Sequence, residues 1–291
     1  MALPDFPPSE LEAGKVSLPE LGKMFKMKTE EKTGFLKNIL YAGIPITAIT
    51  LIELLIFGGR LKEASIAYTL LLLALSYSIA TMKIHEIRKI YQALLLLTIF
   101  RLVNFSMPIF FERNLYSFVF IYAPLAIPIT LATVHQKMTY EKKRDTLRKI
   151  RIYLPLAVLA GLVFGQVEYA LVGAREFIPD LSMKNLLILI IIMVFLVGLI
   201  EELIFRSILQ TSLEEFLGPA GGIFLSSLLF GMMHSAYGTA YEIVYTFLVG
   251  GFLGYLFYRT RSLLLVVMIH GSINVFLYGI IPHTGPGLGL M

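Results

Sequence analysis

The chain has 291 residues, of which 57% are apolar and only 15% charged, against about 25% charged in an ordinary soluble domain. With a mean hydropathy of +0.76, these values exclude a disordered chain, a coiled coil and a soluble globule. The formal charge of +5 reports loop topology in such a chain rather than nucleic-acid binding, and the absence of cysteine excludes a disulfide framework, a thiol nucleophile and a thiolate metal site.

Residues 1–34 read as a polar, basic N-terminal tail, with no apolar core of the kind a cleaved signal peptide needs. The first apolar segment is therefore expected to act as the insertion signal. Nine apolar segments follow, at 36–57, 64–82, 93–111, 115–133, 153–173, 186–209, 220–237, 240–258 and 262–282. Most reach the length of about 20 residues that crosses hydrocarbon as a helix. Sheet edges cannot sit in lipid, so the expected fold is all-α, a polytopic membrane bundle of about eight or nine transmembrane helices. The expected divisions are the tail 1–34, N-terminal helices and a basic loop over 35–152, a core over 153–285, and a short tail at 286–291.

Cations alternate between the loops. Lys83, Arg88 and Lys89, the stretch from Lys137 to Arg151, and Arg259 with Arg261 fall on the side of the basic tail. The opposite loops hold only Arg60, Lys62, Arg113, Arg175 and Lys184. The positive-inside rule puts the N-terminus in the cytoplasm, in the cell membrane or, in a eukaryote, the endoplasmic reticulum. The loop holding Glu214 and Glu215 falls on the cationic side, yet is acidic. Gly161-x-x-x-Gly165 and Gly250-x-x-x-Gly254 permit close helix packing.

Ionisable groups within spanning segments cost at least about 2.5–3.5 kcal/mol each and need a reason. Glu53, Arg101 and Glu168 are three of them, with structural roles expected. The rest concentrate late in the chain. Segment six carries Glu201, Glu202 and Arg206, segment seven His234, and segment nine His270 and Asn274. Glu202 and Arg206 are four residues apart, share a helix face and are expected to pair. Glu201 points about 100° away without that partner. Ser226, Phe230 and His234 are expected on one face of segment seven. A depth count places Glu201, His234, His270 and Asn274 in one slab, about 12–19 Å from the cytoplasmic side.

An acid, two imidazoles and a carboxamide are the groups a water-activating acyl hydrolase needs. The acid serves as general base, an imidazole shares the proton, and the remaining groups donate to an oxyanion. Glu201, His234 and His270 are also the N/O donor set of a catalytic zinc site. Buried acids and histidines equally serve proton-coupled transporters, and a non-catalytic scaffold or immunity protein is a third class that carries such groups. Site-2, serine and aspartyl intramembrane proteases fit the sequence badly. His85-Glu86 is not followed by a second His at the required spacing, Ser272 and His270 lie on different faces, and the only aspartates are Asp5, Asp145 and Asp180.

Glu201-Glu202-Leu-Ile-Phe-Arg206, Phe230-Gly-Met-Met-His234 and His270-Gly-Ser-Ile-Asn274, in that order on successive apolar segments, resemble the type II CAAX prenyl endopeptidases, also called the CPBP or Abi family. The resemblance covers about residues 186–282. It implies a catalytic Glu201 that activates water with His234, and an oxyanion pair in His270 and Asn274. It implies supporting roles for Glu202, Arg206 and Phe230, and no stably bound metal or other cofactor. The implied substrate is a prenylated or lipid-anchored chain within membrane lipid, reached through a cavity opening to the cytoplasm, with no nucleic acid as partner.

Overall fold

The computed structural model describes residues 39–110, 114–135 and 143–285. The basic tail 1–34, the tail 286–291, and Lys137 and Lys142 of the basic stretch lie outside the described residues. Two compact units are present, Met1–Ile44 and Pro45–Met291. Of the first, residues 39–44 are described, as helix; all other described residues belong to the second.

Among the described residues there are nine helices and no strand. They are α1 (Ile39–Phe57), α2 (Leu61–Thr81), α3 (His85–Phe110), α4 (117–135), α5 (Lys143–Val172), α6 (183–217), α7 (219–232), α8 (Ala240–Thr260) and α9 (Leu263–Thr284). As expected, this is an all-α multi-pass membrane bundle. Six helical stretches are long and apolar enough to cross a bilayer, one of them the 55-residue run Met183–Tyr237 that contains both α6 and α7. Within α4 a 3₁₀ turn at Ala123–Leu125 surrounds Pro124, a residue that cannot donate the helical hydrogen bond.

Helix α6 starts where Asp180 accepts hydrogen bonds from the Ser182 N–H at 2.8 Å and the Asn185 amide at 2.8 Å. Bonds from the Ser182 hydroxyl and backbone, then from Asn185, hold the Asp180 carboxyl below its ordinary range. The apolar pattern predicts an end to this helix near 209, yet it runs on to Gly218. There φ is 79°, a value that favours glycine, and Pro219 starts α7. Two wide π-type stretches, Ile191–Gly198 and Leu203–Gln210, flank the single α-helical turn Leu199–Glu202. Such widenings of a helix are found often at functional sites.

Contacts between loops and helix ends mark two faces of the bundle. On the first face Lys89 pairs with Glu215 at 2.7 Å, and Arg261 with Glu214 at 2.6 Å. The acidic α6–α7 turn is thus neutralised by cations of neighbouring loops. On the second face the Phe177 N–H donates to the Tyr278 carbonyl at 2.9 Å, and His283 Nε2 bonds the Ile178 carbonyl at 2.9 Å. These two bonds tie the α5–α6 loop to the end of α9.

Small residues set the close crossings. A Cβ on Gly161 of α5 would stand 2.6 Å from Ser272 Cβ, and one on Gly271 of α9 would stand 2.6 Å from Val194 Cα of α6. Both are closer than packed atoms come, so only glycine lets α9 lie against α5 and α6 at once. The α6–α9 crossing brings His270 beside the Glu201–Glu202 turn.

Candidate active site

Glu202 and Arg206 pair as their spacing predicts, Nε to Oε2 at 3.0 Å, with both side chains fully buried. Glu202 reaches further: its Oε1 lies 2.7 Å from His270 Nδ1. A carboxylate already paired with arginine can only accept, so Nδ1 carries the hydrogen and the ring is fixed in orientation. Its other nitrogen, Nε2, then faces Glu201 Oε2 at 3.7 Å. That gap exceeds a direct hydrogen bond. The other oxygen of Glu201 accepts from the Tyr122 hydroxyl of α4. A single ring thus stands between two carboxylates, held by one and facing the other.

Phe230 fills the space around this arrangement and is 2% exposed. Its ring meets His270 edge-on at 5.6 Å and His234 at 5.0 Å between centroids, and Arg206 sits over its face at 5.1 Å. Arg206 Nη2 has no hydrogen-bond partner, and the aromatic face supplies cation–π attraction in its place.

His234 lies past the last turn of α7, which ends at Met232, with φ −94° and ψ 6°. The sequence pattern predicts it inside that helix, on a face with Ser226 and Phe230. The chain instead leaves the helix for a 3₁₀ turn, Ser235–Tyr237, closed by left-handed Gly238. His234 Nδ1 lies 2.8 Å from the Phe230 carbonyl, so Nδ1 donates and Nε2 keeps its lone pair. Ser226 turns to the protein interior and donates to the Phe205 carbonyl at 2.9 Å.

The turn around His234 is clamped from helices outside the three motifs. Arg101 Nη2 donates to the Met233 carbonyl at 2.5 Å, and the Ser235 hydroxyl donates to Glu53 Oε2 at 2.5 Å. Arg101 and Glu53 join through Nε–Oε1 at 2.8 Å and Nη2–Oε2 at 2.6 Å, and Tyr68 also donates to Glu53. The ion pair is buried and every oxygen of Glu53 is occupied, as a charge pair at this depth requires. The structural roles expected for Arg101 and Glu53 take this form.

One cavity of about 300 Å³ is lined by Glu201, His234, His270 and Asn274 together, with Tyr122, Arg101 and Glu168 among its other walls. Asn274 is 8% exposed there. Among the described residues, no three His or acidic side chains are grouped to hold a metal ion. Tyr122 is a site residue that the sequence does not single out. A phenol in an apolar segment carries no motif, and its pairing with Glu201 depends on the approach of α4 to α6.

The cavity's lining defines its mouth. Ser117, Ala174, Arg175, Phe177, Ala236 and Tyr237 belong to loops and helix ends on the second face. Toward the first face, α6 from Phe205 to Leu209 is buried, as are Gln210 and Leu213. Gln210 closes that layer by donating to Glu214 at 2.7 Å and to the Gly254 carbonyl at 2.9 Å. The cationic loops and the mouth are therefore on opposite faces. A cytoplasmic opening and cytoplasmic cationic loops, both expected from the sequence, do not occur together in this bundle, because α6 and α7 carry the candidate side chains to the far side of the packed layer.

No curated protein and no solved structure matches the chain significantly. Residues 183–276 match the family model described as type II CAAX prenyl endopeptidase Rce1-like, and all seven motif residues fall within that range. The likeness to this family of membrane proteases extends over that stretch, 94 of the 291 residues.

Proposed function

We propose that the chain is an intramembrane endopeptidase that hydrolyses a peptide bond near the C-terminus of a membrane-anchored substrate, the prenylated chains of the family name being one such class. The observation that carries this reading is the shared cavity of Glu201, His234, His270 and Asn274. Glu201 is the general base. It takes a proton from a water whose oxygen attacks the scissile carbonyl, and it returns that proton to the leaving amine. His234 presents the lone pair of Nε2 and assists by orienting the same water. Tyr122, bonded to Glu201, holds the carboxylate in place.

The tetrahedral oxyanion is stabilised by Asn274 and His270. With Nδ1 committed to Glu202, donation by His270 falls to Nε2 and calls for the imidazolium form. Glu202 and Arg206 act through His270, fixing its ring. The reading uses no metal and no covalent nucleophile.

The test is cleavage of a membrane-anchored peptide by the purified chain in detergent, followed by mass spectrometry. Glu201→Gln is expected to keep its thermal unfolding transition and to lose cleavage. Undiminished cleavage by that variant would overturn the assignment.

A further inference from the structure

Outside the motifs, three acids are buried among the described residues, Glu53, Glu168 and Glu242, and their surroundings differ. Every oxygen of Glu53 is occupied. Glu168 of α5 is 7% exposed and lines the same cavity as Glu201, yet it takes part in no hydrogen bond or ion pair among the described residues. Glu242 of α8 is fully buried, and neither of its oxygens has a partner. Its place three residues after Thr239, the residue that caps α8, suits a reciprocal helix cap. That cap needs the Glu242 carboxylate to return to the Thr239 N–H, and it does not. The structural role expected for Glu168 therefore does not take the form that Glu53 shows.

The groups that could satisfy Glu168 are committed elsewhere. Its charged neighbours are Glu242 and Glu201, both acids. Tyr237, Tyr245 and Tyr278 stand within electrostatic reach of it. Tyr245, however, donates to the Phe164 carbonyl at 2.5 Å, one helical turn before Glu168, and the Tyr237 and Tyr278 hydroxyls bond to each other. Of the cations along the cavity, Arg101 is bound to Glu53 and the Met233 carbonyl, and Arg175 is exposed in the α5–α6 loop. A buried carboxylate without a partner is costly. A neutral occupant of the cavity leaves that cost in place, whereas an ammonium or guanidinium supplies the missing counter-charge.

We propose that Glu168 is a specificity-determining residue of this cavity: its carboxylate pairs with the ammonium or guanidinium of a Lys or Arg side chain that the substrate carries close to the bond held at Glu201. The tyrosine rings around it favour the same guest, since an aromatic face attracts a cation. Glu242, outside the lining, acts on such a guest only through its field. This rests on the peptidase reading for the guest being part of a polypeptide, but not for the preference of the cavity for a cation. A segment with an apolar side chain at that place is the poorer substrate, and one with an acid there is poorer still.

The test uses membrane-anchored peptides that differ at one position, which holds lysine, norleucine or glutamate and is moved residue by residue along the segment flanking the bond. Binding to the full chain in lipid nanodiscs is read by fluorescence polarisation in a Glu201→Gln background, so that affinity is measured apart from cleavage. At one position lysine is expected to bind at least about tenfold tighter than norleucine, or about 1.4 kcal/mol. Glu168→Gln, of nearly the same shape, is expected to bring the two peptides to equal affinity, and Glu168→Lys to favour the glutamate peptide. The absence of any position that prefers lysine, or a lysine preference that survives either variant, overturns the proposal; each variant carries the test alone if the other does not fold. Cleavage of the same peptides by the native chain separates the two readings. Lysine-selective binding without cleavage contradicts the peptidase reading alone, and cleavage without a lysine preference contradicts this proposal alone.

Discussion

Glu201 has a neighbour on each oxygen, Tyr122 on one and the more distant His270 on the other, and the two neighbours predict different phenotypes. Tyr122→Phe removes a single donor to a charged group and leaves the ring in place. A loss of about 1.5–3 kcal/mol is expected, read as a lower kcat with a smaller fall in the unfolding midpoint than Arg206→Met gives. Arg206→Met acts on the other side of the site. It leaves the buried charge of Glu202 without its guanidinium partner, so a destabilisation of about 3–5 kcal/mol is expected in denaturant or thermal unfolding. The Glu202–Arg206 pair is legible from spacing alone. The bond from Glu202 to His270 is not, because it joins residues 68 apart in sequence and depends on how closely α9 approaches α6.

That approach is a property of the elements. Gly271 lies against Val194 with no room for a Cβ, within a wide-turned part of α6. Gly271→Ala is expected to cost about 1–3 kcal/mol of stability through overpacking and to move His270 away from Glu202. Loss of cleavage out of proportion to the loss of stability would report that movement. Gly161 of α5 meets the next residue of the same helix, Ser272, and its glycine spacing announces a close crossing in advance. The wide turns around Glu201 have no such signal. Residues 186–209 read as an uninterrupted apolar helix, and backbone widening depends on packing rather than on residue type.

A second element-level device is the turn after α7. Met233 and Ser235 are held by Arg101 and Glu53 on either side of His234, so α1 and α3 contribute to the site although they carry none of its motifs. Ser235→Ala removes one of the hydrogen bonds to Glu53. A stability loss of about 1–3 kcal/mol is expected, together with a fall in kcat that Ser235→Thr restores if its hydroxyl reaches Glu53. An equal loss of stability in both variants with no change in kcat would show that the clamp serves the fold alone. Their place in apolar segments marks Glu53 and Arg101 as buried charges in need of a partner, and each proves to be the other's.

For the whole molecule, the order of the helices is readable from hydropathy, and the nine apolar segments correspond in order to α1–α9 among the described residues. The side on which the cavity opens is not. It depends on how far α6 extends past Glu201 and on His234 lying beyond the end of α7, and these boundaries are set by departures from helical backbone at Gly218 and His234. The central claim is that one water, activated at Glu201, attacks the peptide bond directly. The most direct measurement is cleavage in ¹⁸O-labelled water by the purified full chain, with intact-mass analysis of protein and products. The account predicts one ¹⁸O in each newly formed carboxylate, no covalent adduct on the protein at any time, and no product from Glu201→Gln; an acyl adduct on the chain, or labelled product from that variant at the native rate, would contradict it.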